Sequence, residues 1–307
     1  MFTMMNNARL AIGLEGVGVA ERAYQHARTY AAERKQGRAL DGSDESVAID
    51  RHPDVRRMLL SMRAQTEAMR ALAYYAAAAL DAAKRHEDEA VRREKQALVD
   101  LLVPVVKAWS TDTGIEVANT GIQVLGGAGY IEESGAPQFL RDVRIAAIYE
   151  GTNGIQAMDL IGRKVAREDG VTAQALIADM RGLDGSLAEA QGDDTGAIRE
   201  SLTEGIDALA EATDWIVATD PENPEAVAAG AVPYLRLLGL VAGGWLMAKA
   251  ALAAEEGLRA GGDKAFLMDK LVSARFYADH VLVQAPALCR TVTRGWNAVG
   301  RFGDEDA

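Results

Sequence analysis

A single cysteine, Cys289, in 307 residues excludes a disulfide framework. The four histidines, His26, His52, His86 and His280, stand apart without ligand spacing, so no metal site is expected. Proline is scarce at seven, and aromatics are few: four Trp, eight Tyr and five Phe. What remains is rich in Ala, Leu, Arg and Glu, the composition of helices. Positive charge is also in short supply, with 33 Lys and Arg against 45 Asp and Glu, a net of -12. That balance argues against general nucleic-acid binding, which needs clustered cations. Nothing near Met1 reads as a secretory address. The longest uncharged runs of the most apolar region, Ala226–Leu235 and Leu237–Ala248, fall short of the ~20 apolar residues of a membrane span. A soluble, cytoplasmic protein without a membrane partner is expected. An apolar content of 49% is too high for a disordered chain and allows a large core.

The charge is unevenly spread. Residues 1–170 hold 22 basic and 24 acidic groups, whereas residues 171–307 hold 11 and 21. Two compositions suggest two units, 1–169 and 170–307, with the seam in the turn Arg167-Glu168-Asp169-Gly170.

Periodicity predicts an all-α chain, an up-down helical bundle followed by a second one. In the first unit a helix is expected from about Asn6 to Gln36, carrying Leu10, Leu14, Val17, Ala20, Tyr24 and Ala27 at spacings of three and four. Gly37 and the cluster Asp41-Gly42-Ser43-Asp44 end it. A second helix starts at Pro53, a residue suited to a first turn, and runs to about His86 with a Met58, Met62, Met69, Leu72 and Leu80 stripe. A third spans about Glu89–Leu125, bent or broken near Pro104. A short helix near Pro137–Arg144 and a last one ending near Arg167 complete the unit. The second unit predicts helices at about 172–181, 186–219, 224–258 and 264–294, with apolar stripes but no polar constellation.

Three segments could carry chemistry. Ile148-Tyr149-Glu150-Gly151-Thr152-Asn153-Gly154-Ile155-Gln156 puts one carboxylate between an apolar run and a glycine-rich helix start. Apolar walls around such a carboxylate raise its pKa, as a general base requires, and the free N–H groups of a helix start can hold a developing oxyanion. A helix-capping turn with a solvated glutamate explains the same residues. Gln123-Val124-Leu125-Gly126-Gly127-Ala128-Gly129-Tyr130 lets backbone approach a ligand beside hydrogen-bonding side chains, or is a glycine-capped helix end. It is not a dinucleotide fingerprint, because no strand precedes it. Arg34, Lys35, Gln36 and Arg38 would clamp a pyrophosphate, or answer the helix macrodipole.

In this order the segments resemble the C-terminal helical domain of the acyl-CoA dehydrogenase family over about residues 1–167. The match is carried by the helix Arg9–Arg34, the loop Gln123–Tyr130, the Arg141-Asp142 pair and Tyr149-Glu150-Gly151-Thr152. The resemblance implies α,β-dehydrogenation of an acyl-CoA thioester. Glu150 would remove the α-proton while FAD accepts the β-hydride; the base's own backbone N–H and a flavin hydroxyl would polarise the thioester carbonyl. Carried over by position, Arg34, Gln36, Gln123, Gly126, Gly127, Thr152 and Gln156 would contact FAD, and Arg9, Tyr149 and Gly151 the acyl-CoA. Arg34-Lys35-Gln36-Gly37 is one residue shorter than the family's segment and lacks its aromatic, which suggests a divergent subgroup. Ala8 beside Arg9 leaves Glu150 as the only candidate base.

Family members place a helical and a β domain before this one, so the chain resembles the C-terminal part of a longer enzyme. Its second unit is similar to an extra helical domain found in a subgroup that includes dehydrogenases of short thioether-bearing acyl-CoAs, such as 3-(methylthio)propanoyl-CoA. The expected partners are acyl-CoA and further copies of the chain, as a dimer or tetramer. An electron-transfer flavoprotein is one electron acceptor the resemblance allows. Two other readings stand beside it: a non-catalytic helical assembly module, and an acyl-CoA oxidase with the same base and flavin.

Overall fold

A computed structural model describes residues 2–40, 42, 44–190 and 192–302. Three long helices form the frame of the first part: α1 (Phe2–Glu33), α2 (Pro53–Arg85) and α3 (Glu89–Leu125). Pro53 opens α2, and the Asp88 carboxylate caps α3 by accepting from Ala90 N–H. Gly13 packs on Val106, Gly16 on Ser110, and Gly121 on Ala23, so α1 and α3 lie side by side and run parallel. No side chain separates the two backbones at Gly16: a Cβ there would stand 2.8 Å from the Ser110 carbonyl oxygen.

The first helix stops at Glu33 rather than Gln36. Lys35–Arg38 leaves as strand β1 to pair antiparallel with β2 (Ser46–Ala48), and a His52 ring nitrogen lies 2.7 Å from the Gln36 carbonyl oxygen. Tertiary pairing outweighs helix propensity over these residues. Of the expected turn cluster, Asp41 and Ser43 lie outside the described residues. Of the two expectations at Pro104, a bend or a break, the break does not occur: α3 continues through it. Leu101, Leu102, Val103, Val105 and Val106 are all buried around that proline, so packing on every side offsets one missing backbone bond.

Beyond α3 the chain becomes short and irregular, through α4 (Gly127–Tyr130), α5 (Ala136–Ala146) and α6 (Asn153–Asp159). The last continues into a π-turn, Leu160–Val165, and a 3-10 turn, Ala166–Glu168, before Asp169 and Gly170 adopt left-handed conformations. The second part comprises α7 (Val171–Arg181), α8 (Asp184–Glu189), α9 (Asp193–Thr219), α10 (Pro224–Ala229), α11 (Ala231–Arg259), α12 (Lys264–His280), α13 (Ala285–Arg294) and α14 (Trp296–Val299). Three helices that the sequence predicts as continuous are therefore interrupted, near Ala190, at Gly230 and at Val281. Pro286, two residues into α13, suits a restart there.

The two parts share one apolar core that reaches from Leu10 to Val292. Their joint is Trp109 of α3 lodged against Gly239 and Gly243 of α11. Ion pairs also join α2 to α12, Arg63–Asp269 at 3.0 Å and Lys270–Glu67 at 2.8 Å. By length and composition α11 could cross a membrane, yet 72% of its most apolar window is buried within the fold. It is the central helix of the second part.

Candidate active site

The turn between α5 and α6 is built on two consecutive left-handed residues, Glu150 at φ 56° and Gly151 at φ 86°. Such a conformation is costly for glutamate and persists only where surrounding contacts over-determine it. Those contacts are specific. The Gln156 amide donates to the carbonyl oxygens of Glu150 (3.2 Å) and Gly151 (3.3 Å). The Lys107 ammonium donates to the same Gly151 oxygen at 2.9 Å and to Asn153 Oδ1 at 2.8 Å. Asn153 N–H closes the turn on the Ala147 carbonyl, and Thr152 caps α6 by accepting from Ile155 N–H.

Both carbonyls therefore point into the protein. In a trans peptide the carbonyl and the next N–H lie on opposite sides, so Gly151 N–H and Thr152 N–H face outward. Among the described residues the N–H groups of Glu150, Gly151 and Thr152 have no acceptor. Successive free N–H groups on a left-handed turn form a concavity suited to an anion.

Glu150 itself is exposed, so the desolvation expected of a base is not supplied by this chain. The chain contributes apolar surface on one side only: Ile145, Ile148, Ile155 and Met158 lie exposed around the turn, Ile155 at 56%. Tyr149 donates its hydroxyl to the Glu15 carboxylate on α1. Partial burial, with the Glu15 hydrogen bond and charge behind it, pushes the Tyr149 pKa up to about 12. Arg9 lies behind the turn at 8% exposure, paired with Asp159 at 3.5 Å. Gln156, also assigned to cofactor from sequence, is 0% exposed, its amide nitrogen already committed to the turn.

The other cofactor candidates gather elsewhere. From Lys107 to Gln123 α3 rises about 24 Å, and α1 runs beside it in the same direction. Arg34 and Gln36 consequently stand at the Gln123–Gly127 end of the bundle, remote from Glu150. All five, Arg34, Gln36, Gln123, Gly126 and Gly127, are exposed. A side chain added at Gly126 or Gly127 would meet nothing within 4 Å. Open backbone, a guanidinium and two carboxamides at one end of the bundle are the kinds of group that the phosphates and polar rim of a dinucleotide such as FAD take.

Sequence reasoning missed Lys107. Its signal was available, as the one charge in the run Leu101-Leu102-Val103-Pro104-Val105-Val106-Lys107-Ala108-Trp109. It is 0% exposed. Burial lowers its pKa to about 8, helped by Arg9 and opposed by Asp112 and Glu150. Asp112, receiving a 2.7 Å bond from Asn153, is shifted the other way by desolvation, to a raised pKa.

Comparison with known proteins places the sequence in a family. The family model for the acyl-CoA dehydrogenase C-terminal domain covers residues 1–166, and that described as acetyl-CoA dehydrogenase C-terminal like covers 173–301. The chain belongs to the acyl-CoA dehydrogenase family. It is 47% identical over 288 residues to 3-methylmercaptopropionyl-CoA dehydrogenase of Ruegeria pomeroyi, covering 94% of this chain and 49% of that protein. Identity is 31% over 303 residues to the broad-specificity linear acyl-CoA dehydrogenase FadE5 of Mycobacterium tuberculosis, covering 92% and 48%. Two solved structures share the fold at 18% identity. They are Caenorhabditis elegans ACDH-11 in complex with C11-CoA (TM-score 0.74, 99% of this chain and 48% of that one) and a Bacillus anthracis acyl-CoA dehydrogenase with FAD (0.73, 95% and 49%). The chain spans about half the length of the curated relatives it matches.

Proposed function

We propose that this chain is the base-bearing C-terminal part of an FAD-dependent acyl-CoA dehydrogenase that introduces an α,β double bond into a short thioether-bearing acyl-CoA. The observation that carries the reading is the Glu150 turn: a carboxylate held on a left-handed backbone, next to outward N–H groups, on an apolar-rimmed face. In the complete enzyme the remaining half covers that face and dries it, which strengthens both the base and the N–H groups. Glu150 takes the α-proton onto its carboxylate. The N–H row accepts the charge that develops on the thioester oxygen, where preorganised donors matter most. FAD, when bound, supplies the acceptor for the β-hydride.

The Arg34–Gln123 end lies too far from Glu150 to serve the same reaction centre with its phosphate-binding groups. We assign it to the cofactor of a neighbouring copy, so the working enzyme is a homo-oligomer. The thioether preference is supported by the identity to the Ruegeria relative; an electron-transfer flavoprotein is the proposed electron acceptor.

The decisive variant is Glu150→Gln in the complete enzyme, assayed with 3-(methylthio)propanoyl-CoA and its straight-chain analogue pentanoyl-CoA. Turnover should fall by at least about 100-fold, the scale of a lost general base, while the flavin absorbance band stays. Unchanged turnover would remove the base assignment. Equal kcat/KM for the two substrates would remove the thioether preference. Hydrogen peroxide formed in step with product would make the enzyme an oxidase.

A further inference from the structure

We propose that Lys107 and Asn153 form a latch beneath the turn that keeps the Thr152 N–H facing the thioester oxygen, making Lys107 a positioning residue for the reaction. The inference rests on the function proposed for the Glu150 turn and concerns residues to which that function gives no role.

The latch joins α3 to the first residue of α6 across 46 positions of sequence. An ammonium has three donors and no acceptor, so the Asn153 carboxamide must turn its oxygen to Lys107. Its nitrogen then faces α3, within reach of Thr111 Oγ1 (2.9 Å), Asp112 Oδ1 (2.7 Å) and the Ala108 carbonyl (3.2 Å). With the carboxamide fixed, the amine is fixed, and its second bond draws the Gly151 oxygen inward. Peptide planarity does the rest: Thr152 N–H has to point out. Gln156 repeats the arrangement one peptide earlier, through the Glu150 oxygen.

A buried amine is a poor choice for stability alone. Desolvating an ammonium is expensive, and an apolar side chain of similar length would suit a helix interior better. Groups that lower stability yet sit under a strained turn are what a preorganised site requires. Lys107 does not touch the substrate. Its effect passes entirely through the Gly151 carbonyl.

The test uses the complete FAD-loaded enzyme with Lys107→Met. Two readouts are taken: steady-state kinetics, and isotope-edited infrared spectra of the bound enoyl-CoA thioester carbonyl, whose stretch falls as hydrogen bonds polarise it. We expect kcat lowered by about 10–100-fold, the range just below loss of an oxyanion donor. KM should change by less than about 3-fold, the flavin spectrum should persist, and the carbonyl stretch should move toward its solution value. A kcat within about 2-fold of the parent, with an unmoved stretch, overturns the proposal. If Lys107→Met does not fold, Asn153→Ala takes its place with the same two readouts, and the same outcomes support or overturn the latch. Glu150→Gln run alongside separates the two ideas. Retained turnover there defeats the base assignment, while its carbonyl stretch, unshifted from the parent and shifted on adding Lys107→Met, still reports the latch.

Discussion

Trp109 of α3 lies so close to Gly239 of α11 that a Cβ on the glycine would stand 2.5 Å from the indole Cγ. That contact is where the two parts of the chain meet, so it tests whether they fold as one. Gly239→Ala must push a buried indole or separate two helices, at a cost of about 1–3 kcal/mol. Gly196→Ala in α9, where a Cβ meets nothing within 4 Å, should instead stabilise by about 0.5–1 kcal/mol through helix propensity. Urea unfolding of the 307-residue chain checks both. A single transition that moves down for the first and up for the second is expected. Two separate transitions in the parent would show that the core is not shared.

Gly151 gives a second test, local to the site. Its φ is 86° and an added Cβ would sit 2.8 Å from the Gln156 amide nitrogen. Gly151→Ala therefore carries both backbone strain and a clash with the group that holds the turn. Gly135→Ala has a comparable φ of 75° and open space, so it carries the strain alone. Each should lower stability by roughly 1–3 kcal/mol, with Gly151→Ala the larger. In the complete enzyme only Gly151→Ala should also depress kcat. Equal effects of the two on turnover would contradict the geometry of the turn.

How legible the structure is in the sequence differs between elements. The α3 limits, Glu89 and Leu125, follow from periodicity and from Gly126 as a cap, because those signals are local; the structure adds Asp88 as the cap at the other end. The end of α1 escapes periodicity because Lys35–Arg38 is decided by pairing with Ser46–Ala48, a non-local bond that propensity does not register. The Glu150 turn is visible as a motif, but its left-handed φ is not, since glutamate gives no hint of it. Lys107 is visible as a charge in an apolar run; its acceptors lie 44 and 46 residues away. The separation of Gln123 from Glu150 follows from the parallel packing of α1 on α3, which small residues at Gly13 and Gly16 permit and which no spacing rule states.

The lowered pKa of Lys107 makes stability depend on pH in a definite direction. The group is a base whose folded value, about 8, lies below its ordinary 10.5. Between those limits the unfolded chain binds more protons than the folded one, so stability rises with pH across that window. Each unit of depression is worth about 1.4 kcal/mol. The charges acting on it are Asp112, Arg9 and Glu150. Lys107→Met should abolish this slope and be at least as stable as the parent below pH 8. Denaturation of both chains across the window measures it. A parent whose stability does not rise there would mean that the amine is not desolvated.

Tyr149 titrates in the opposite sense. Desolvation first, then the Glu15 hydrogen bond and the charges of Glu15 and Glu150, raise its pKa from 10.0 to about 12. For a group whose folded value is raised, the stabilising contribution is complete below the unfolded pKa and is lost as pH climbs through the folded one. The window is therefore about 10 to 12, adjoining that of Lys107 and contrary to it. Difference titration of tyrosinate absorbance between the parent and Tyr149→Phe isolates the group. Glu15→Gln keeps a hydrogen-bond acceptor but removes the charge, so the Tyr149 midpoint should fall yet stay above 10. A midpoint unchanged by Glu15→Gln would assign the shift to burial and the hydrogen bond, with no part for the Glu15 charge. The tether from α1 to the residue preceding Glu150 would then rest on packing and that hydrogen bond rather than on charge.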